Sequence, residues 1–398
     1  MDFVIKTDKF HRIIIKKSYV RKIVPKDQTI RHLLSYYQML ACEKYNTEAL
    51  FNKYLGYAYD MRFSVSSQTI GRYALFTYNL IAVDPQYIND ENYTIDTIKE
   101  AFNECIKPVL NEAKNNFDRK LFNRAYEIYN SNLLEDETDD DRKALQGAIS
   151  TMFKGTIRDF NTNGSLNDLE KITCKKLYNY YLSIMNDENV SYIVGNVNEK
   201  EECKHTLTPK SDNKFKKRAE FEPIVYQDAD TNQCYLEVIY DTNIYRDNNL
   251  IHAITLLNLG LGGTGNSKLF SIVREKYGLC YSISSSYLGA SGIIIVSVII
   301  NKKNLDKTLQ AIDEAMYNLL NDFNLEEYKY YLIETIESRK DNMSTYISDH
   351  FMDNFFIDSF PSKDEIDHIN NVTMSDIKKA YKKLNKRLVY IYGGNNNE

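Results

Sequence analysis

Histidines are the residues of this 398-residue chain whose type best suits metal chemistry. A zinc-hydrolase helix needs two imidazoles on one face, four residues apart, with a carboxylate between them as the base. The closest two histidines here, His350 and His368, are 18 residues apart. The spacing therefore predicts no local zinc helix, whereas a site assembled from distant histidines remains conceivable. We assign no metal ligand and no catalytic residue to this chain. The other four, each expected to be structural, are His11, His32, His205 and His252.

Glycines cluster in the run from Gly260 to Gly265. A Walker phosphate loop ends in glycine, lysine and then serine or threonine, whereas the serine precedes the lysine here and no parallel strand leads into the run. We therefore expect no phosphate site. The pattern predicts a loop containing Gly262 and Gly263, where glycines permit a tight turn between helices over 250–259 and 267–275.

Charge and composition exclude several classes of protein. Lys and Arg total 50 against 55 Asp and Glu, and the net charge of -5 is spread along the chain, so no basic face for nucleic acid is predicted. The most apolar stretch, 292–300, is about half the length of a membrane helix. The six cysteines form no Cys-x-x-Cys pair. These features predict a cytoplasmic protein with reduced thiols, no nucleic-acid partner and no membrane partner.

Repetition is the main sign of the fold, because a duplicated unit repeats its hydrophobic pattern at a near-constant offset. Thr173 and Thr373 open similar helices 200 residues apart, and Gly195 and Gly393 end similar strands 198 residues apart. Two further segments recur in the same order. The matched ranges are 50–82 with 269–300, 95–106 with 305–320, and 169–195 with 369–393.

The repeats predict an α+β fold built as a tandem duplication, each copy having a mixed, largely antiparallel sheet with helices packed on one face. At 398 residues, two domains are also the natural expectation from length. We predict a first domain over 1–204, a polar and basic linker over 205–222, and a second domain over 223–398.

The segment from Gly262 to Ser282 closely resembles the signature of the insulinase/pitrilysin family of zinc peptidases, the inverzincins. That signature is a Gly-Gly loop, then Ser-x-Leu-Phe, then Val-Arg-Glu-Lys-x-Gly-Leu-x-Tyr-Ser, and this chain supplies nearly every residue of it. The resemblance extends over almost the whole chain, since the family unit is itself a tandem pair of α+β domains of this size.

The resemblance implies a substrate-binding role for Arg274 and Tyr281, seven residues apart. In the family, an Arg/Tyr pair on a substrate-side domain faces the zinc site of another domain. A guanidinium and a phenol can both donate hydrogen bonds to a substrate carbonyl and to the oxyanion that develops from it. The alternative for Arg274 is an ordinary salt bridge with a neighbouring carboxylate.

The resemblance also implies that the first domain has lost its zinc motif. The family's zinc helix, His-x-x-Glu-His, should lie before the first hairpin, where His32 would take the place of the first histidine. Ser35 then stands at the catalytic glutamate and Tyr36 at the second histidine. A hydroxyl is too weak a base and a phenol titrates near 10, so neither is a good replacement at neutral pH. No cofactor is expected here.

This pattern resembles the non-catalytic partner in a two-subunit bacterial member of the family. The resemblance implies a substrate-binding subunit that completes a zinc metalloendopeptidase when paired with a zinc-bearing insulinase-like sister subunit, and that is not an enzyme by itself. The alternatives are a structural or peptide-binding scaffold with no role in catalysis and an enzyme of another kind. The sequence does not identify the peptide, the partner, or a homodimer as opposed to a heterodimer.

Overall fold

The strands form two sheets of the same topology. The structure is a computed structural model that describes residues 2–198, 207–208, 210, 214–215, 217, 222–356 and 362–394. Within these residues two five-stranded mixed sheets form, with strand orders β1-β5-β2-β4-β3 and β6-β10-β7-β9-β8. Their strands are β1 Phe3–Lys6, β2 Arg12–Lys22, β3 Arg62–Ile70, β4 Tyr73–Val83, β5 Glu188–Gly195, β6 Ile224–Gln227, β7 Cys234–Asp241, β8 Cys280–Leu288, β9 Ile293–Ile300 and β10 Asn385–Gly393.

The helices also follow one order in the two copies. Several begin at a threonine that caps the first turn; at Thr94 and Thr373 the side chain three residues on reciprocates to make a capping box. The helices are α1 Gln28–Leu40, α2 Glu48–Tyr57, α3 Ile95–Cys105, α4 Arg119–Asp136, α5 Asp140–Phe153, α6 Leu166–Leu169, α7 Cys174–Ile184, α8 Ile251–Asn258, α9 Leu305–Tyr317, α10 Leu325–Arg339, α11 Met343–Phe355, α12 Glu365–Asn370 and α13 Met374–Tyr381.

The predicted α+β tandem duplication is confirmed, including the largely antiparallel pairing: among the ten described strands, only the short edge strands β1 and β6 pair in parallel, with β5 and β10. The continuous β-branched run of β9 is typical of a strand buried on both faces. Its even-numbered residues face one core and its odd-numbered residues the other side. The sequence did not predict β1 and β6, whose four residues each are too short to show a periodic pattern.

Among the described residues, each sheet has a main core on one face and one helix packed on the other. In the first compact unit, α11 covers the second face of its sheet with Ile347, Phe351 and Phe355, which pack against Tyr73 and Tyr192. In the second unit, α5 packs on β7 and β10. Gly147 of α5 lies so close to the ring of Tyr390 that no side chain would fit there. Helices therefore lie on both faces of each sheet, not on one.

The two compact units do not coincide with two continuous halves of the chain. The first comprises 1–136, 160–210 and 340–357, and the second comprises 137–159, 211–339 and 358–398. Residues 137–159, which contain α5, belong to the second unit, and residues 340–357, which contain α11, belong to the first. Hydrophobic periodicity gives each helix an apolar face but does not say which sheet receives it, and most of the predicted linker, 205–222, lies outside the described residues. The boundaries predicted from the sequence, 1–204 and 223–398, delimit the two copies of the repeat, and they stay a prediction.

No helix in the described part of the chain is both long and apolar enough to cross a membrane.

Candidate functional site

Arg274 and Tyr281 lie side by side in the second unit. Arg274 is in a π-helical segment, Phe270–Lys276, and Tyr281 is the second residue of β8. The guanidinium carbon of Arg274 is 5.3 Å from the centre of the Tyr281 ring and 4.5 Å from the centre of the Phe270 ring. The cation is thus placed by two aromatic faces, a contact worth about 0.5–1 kcal/mol at an exposed position.

Both side chains keep hydrogen-bond donors that other described residues do not occupy. Among the residues that the structure describes, the Arg274 guanidinium forms no ion pair and no hydrogen bond, so the ordinary salt bridge considered from the sequence is not formed there. Tyr281 is 88% exposed. A guanidinium and a phenol that retain their hydrogen-bond donors, held next to each other, can bind a carbonyl or carboxylate oxygen.

A β-bulge turns Tyr281 outward. Cys280 pairs with Ile300 and Ile283 with Val298, so β8 advances by three residues over the stretch in which β9 advances by two. The extra residue interrupts the ladder and bends the strand, and bulges of this kind often redirect a side chain at a functional site. A regular strand would fix the direction of Tyr281 by simple alternation.

Two contacts hold the helix that carries Arg274. Gly278 has φ +61°, and its N–H donates to the carbonyl of Arg274 at 3.0 Å, which ends the helix and starts the turn into β8. Lys276 and the hydroxyl of Tyr277 donate to the two carboxylate oxygens of Glu314 in α9, at 2.6 and 2.7 Å. These bonds lower the pKa of Glu314, with Lys276 contributing most, so the carboxylate is ionised at neutral pH.

Gly262 and Gly263 serve packing and do not form the tight turn that the sequence predicted. They belong to a π-helical segment, Leu259–Gly263, that extends α8, and neither has a positive φ. A Cβ on Gly262 would lie 2.8 Å from both the backbone nitrogen and the Oγ of Ser285 in β8. The glycine is required because the helix end touches the strand.

A buried polar contact completes this junction. The Ser285 hydroxyl donates to Oδ1 of Asn258 at 2.9 Å, and the Asn258 amide donates to the Ser285 carbonyl at 3.3 Å. Both side chains are buried. Since a buried amide without partners is costly, the paired bonds fix the end of α8 on β8, the strand that carries Tyr281.

Helix α1 carries His32, Ser35 and Tyr36, the three residues that the resemblance assigns to the positions of the zinc motif. Burial, together with a smaller effect of the neighbouring Arg31 cation, lowers the pKa of His32 to about 4, so its imidazole is neutral at pH 7. Its Nε2–H donates to the carbonyl of Thr162 at 2.8 Å. Ser35 donates to the carbonyl of His32 at 2.7 Å, and the Tyr36 hydroxyl accepts from the Asn132 amide at 2.7 Å.

These side chains do not fit a zinc site. A zinc site needs three or more imidazole, thiolate or carboxylate ligands, whereas His32 is the single imidazole of the motif and neither Ser35 nor Tyr36 offers an imidazole or carboxylate. In the part of the chain that is described, no three His, Cys, Asp or Glu residues group closely enough to hold a metal ion. No chemical step in this chain is therefore derived through zinc.

Two residues that position the pair were missed from the sequence. Phe270 precedes Arg274 by four residues, so helical spacing would have predicted their contact. Glu314 lies 38 residues beyond Lys276 along the chain, and no local pattern indicates that contact. The sequence indicated which residues could bind a substrate, and the tertiary structure adds which residues hold them.

Part of the chain matches a known protein family, and the whole chain is similar to known proteins. Residues 171–333 match the family described as Peptidase M16 inactive domain. A probable inactive metalloprotease, YmfF of Bacillus subtilis (strain 168), is 23% identical over 417 residues, covering 98% of this chain and 95% of that protein.

Two solved structures share the fold along the whole chain. A conserved protein from Enterococcus faecalis V583 has a TM-score of 0.88 at 21% identity, covering 99% of this chain and 96% of that one. A peptidase M16 inactive domain from Pseudomonas fluorescens has a TM-score of 0.75 at 14% identity, covering 98% and 95%. Residues 171–333 thus match a peptidase M16 inactive domain, and along nearly its whole length the chain is similar to a probable inactive metalloprotease and shares the fold of a peptidase M16 inactive domain.

Proposed function

We propose that this chain is the substrate-binding subunit of a two-chain zinc peptidase, and that Arg274 and Tyr281 complete the active site of a zinc-bearing sister subunit. The observation that carries the proposal is the state of the pair: the guanidinium has no carboxylate partner among the described residues, and the adjacent phenol is 88% exposed. An arginine that served only stability would be expected to satisfy its donors within its own fold.

The chemistry of the pair supports a role on a peptide carbonyl. In amide hydrolysis the carbonyl oxygen gains negative charge, and donors already in position stabilise it without reorganising. The partner would supply zinc, the nucleophilic water and the base. In this chain Arg274 would donate through its guanidinium and Tyr281 through its hydroxyl, while Phe270 and Glu314 would act only as positioning residues.

The state of α1 supports the need for a second chain. His32, Ser35 and Tyr36 are bonded within their own unit and do not fit zinc, so this chain needs metal from elsewhere in order to act as a peptidase. The predicted cytoplasmic location stays a prediction, which fractionation of cells expressing the tagged chain would test.

The test is reconstitution. The gene neighbourhood should hold a chain with His-x-x-Glu-His; the two purified proteins should copurify and cleave quenched fluorescent peptides only as the mixture. Arg274→Ala should reduce cleavage by the mixture about 10²-fold or more while leaving copurification intact. Gly56→Ala is the matched control, because Gly56 holds the equivalent helix position in the first copy and has open space around it.

Two outcomes would overturn the proposal. Full cleavage by this chain alone would mean that it is an enzyme of another kind. A mixture whose activity is unchanged by Arg274→Ala would favour a scaffold that binds its partner without contributing to catalysis.

A further inference from the structure

A groove of about 550 Å³ opens beside Tyr281 in the second unit. It lies where the start of β8 meets the end of β9 and the turn before α9. Leu279, Cys280 and Ile299 contribute apolar surface, and three amide side chains, Gln233, Asn301 and Asn304, contribute polar groups. None of its lining residues carries a charge.

The amides have hydrogen-bonding capacity to spare. Oδ1 of Asn301 accepts from the backbone of Lys303 at 3.1 Å, which leaves its amide N–H groups without a protein partner among the described residues. The side chains of Gln233 and Asn304 likewise form no hydrogen bond with any described residue. An amide both donates and accepts, so these three can bind the N–H and C=O groups of an extended peptide.

The bulge and the glycine shape the groove. The extra residue at the bulge leaves backbone groups near Tyr281 and Ser282 outside the ladder with β9. A Cβ added at Gly278 would meet nothing within 4 Å, so the glycine leaves its side of the groove open. The feature that presents Tyr281 therefore also provides space next to it.

We propose that this groove is a specificity subsite for an uncharged side chain of the peptide that Arg274 and Tyr281 hold. The inference rests on the proposed function, and it names the class of substrate. Tyr281 belongs both to the groove wall and to the contact with Arg274, so a residue in the groove adjoins the anchored carbonyl. An aliphatic side chain packs against Leu279 and Ile299, while a charged one loses its hydration and finds no counter-charge in the lining.

Cys280 provides a probe of occupancy in the isolated chain. It is a free, half-buried thiol of the groove wall, and Cys174 is a free thiol of similar burial in the first unit. Iodoacetamide modification of both is followed by mass mapping in the presence of peptides that differ only by Leu, Asp or Lys at one position. The Leu peptide should slow modification of Cys280 about tenfold more than the Asp and Lys peptides, while the rate at Cys174 stays constant.

A charge placed in the groove provides a second measurement. Asn304→Asp should move the preference of the zinc-bearing mixture from the Leu peptide towards the Lys peptide by about tenfold in kcat/KM. Asn52→Asp, at an exposed position of α2, is the control and should leave the preference unchanged.

The outcomes separate the two proposals. Equal protection of Cys280 by all peptides, with cleavage by the mixture that still depends on Arg274, overturns the subsite and keeps the proposed function. Selective protection by Leu peptides without cleavage by any mixture keeps the subsite and overturns the proposed function. Asn304→Asp with an unaltered preference also counts against the subsite.

Discussion

The two copies end their second helix in the same way before entering the edge strand of their sheet. In the first copy, the N–H of Asp60 donates to the carbonyl of Gly56 at 3.2 Å, and the N–H of Met61 donates to that of Leu55 at 3.0 Å. The backbone of Asp60 has φ +55°, in the left-handed region that glycine occupies most easily.

In the second copy, the same two bonds recur 218 residues later. The N–H of Gly278 donates to the carbonyl of Arg274 at 3.0 Å, and the N–H of Leu279 donates to that of Val273 at 3.1 Å. The φ of Gly278 is +61°. Duplication has thus preserved the backbone of the junction to the level of single hydrogen bonds.

Only the side chains differ. Arg274 in the second copy corresponds to Gly56 in the first, and Tyr281 corresponds to Phe63. At these two positions the first copy has no side-chain donor, whereas the second copy presents a guanidinium and a phenol from the same backbone. The shared backbone thus sets the positions of these two side chains, and their residue types alone distinguish the proposed site from its counterpart in the first copy.

A second contrast lies on the sheet faces that α11 and α5 cover, at one pair of residues that occupies the same position in the two sheets. Ser18 and Thr77 face each other between β2 and β4, with their hydroxyls 2.9 Å apart and buried. At the equivalent position between β7 and β9, the Ser297 hydroxyl donates to a carboxyl oxygen of Glu237 at 2.6 Å. Burial raises the pKa of Glu237 to about 8, and the bond from Ser297 only partly opposes this.

The largest effect should come from exchanging the phenol between the two junctions. Tyr281→Phe should lower kcat/KM of the zinc-bearing mixture about 10²-fold, because one donor to the developing oxyanion is removed. The exposed ring has little packing to lose, so the melting temperature should not change. Phe63→Tyr places the same hydroxyl at the equivalent position and should leave activity at the wild-type level; a loss there equal to that of Tyr281→Phe would break the comparison.

The buried pairs should differ in their response to pH. In the unfolded chain Glu237 titrates near its ordinary value, and in the folded chain near 8, so between these values the folded state binds more protons. Stability is therefore fully present below the unfolded pKa and falls as pH rises to about 8, by up to a few kcal/mol.

Chemical denaturation at pH 5 and pH 8 measures that difference. Glu237→Gln keeps the shape and removes the titration, so its free energy of unfolding should be nearly the same at both values. Ser18→Ala, at the neutral pair of the other sheet, should retain the full pH difference of the wild type. A pH difference that survives Glu237→Gln would assign it to other groups.

A smaller effect should distinguish two glycines of the segment before Arg274. Gly262→Ala places a methyl group against the backbone of Ser285 and should destabilise the chain by about 1–3 kcal/mol. Gly265→Ala has nothing within 4 Å of its Cβ and should be nearly neutral. Similar melting temperatures for the two variants would show that the close approach between α8 and β8 is relaxed in solution.

The smallest effect concerns the two junction glycines, which should respond with opposite signs. Both have open space at the Cβ position, but only Gly278 has a positive φ. Gly278→Ala should cost about 1 kcal/mol of stability, because alanine is strained in that conformation. Gly56→Ala lies within α2 and should add about 0.5 kcal/mol, since alanine is the better helix former. Calorimetry would measure both, and equal signs would contradict the assignment of φ as the cause.

The sequence predicted most of the fold, but it did not predict the residues that position Arg274 and Tyr281. The duplication and most helices and strands followed from periodicity, because each element buries one face against its own core. The helices predicted to open at Thr173 and Thr373 are α7 and α13, and each threonine side chain caps the first turn of its helix.

What the sequence by itself determined is the chemistry: the family signature, the two donors at Arg274 and Tyr281, and the loss of imidazole and carboxylate at Ser35 and Tyr36. Residue type and order carry that information directly. The tertiary structure alone decided which sheet each of α5 and α11 covers, why Gly262 must be glycine, and that a bulge exposes Tyr281. These three features depend on contacts between residues far apart in the chain. Local periodicity shows that an element has an apolar face, but it does not identify the element against which that face packs.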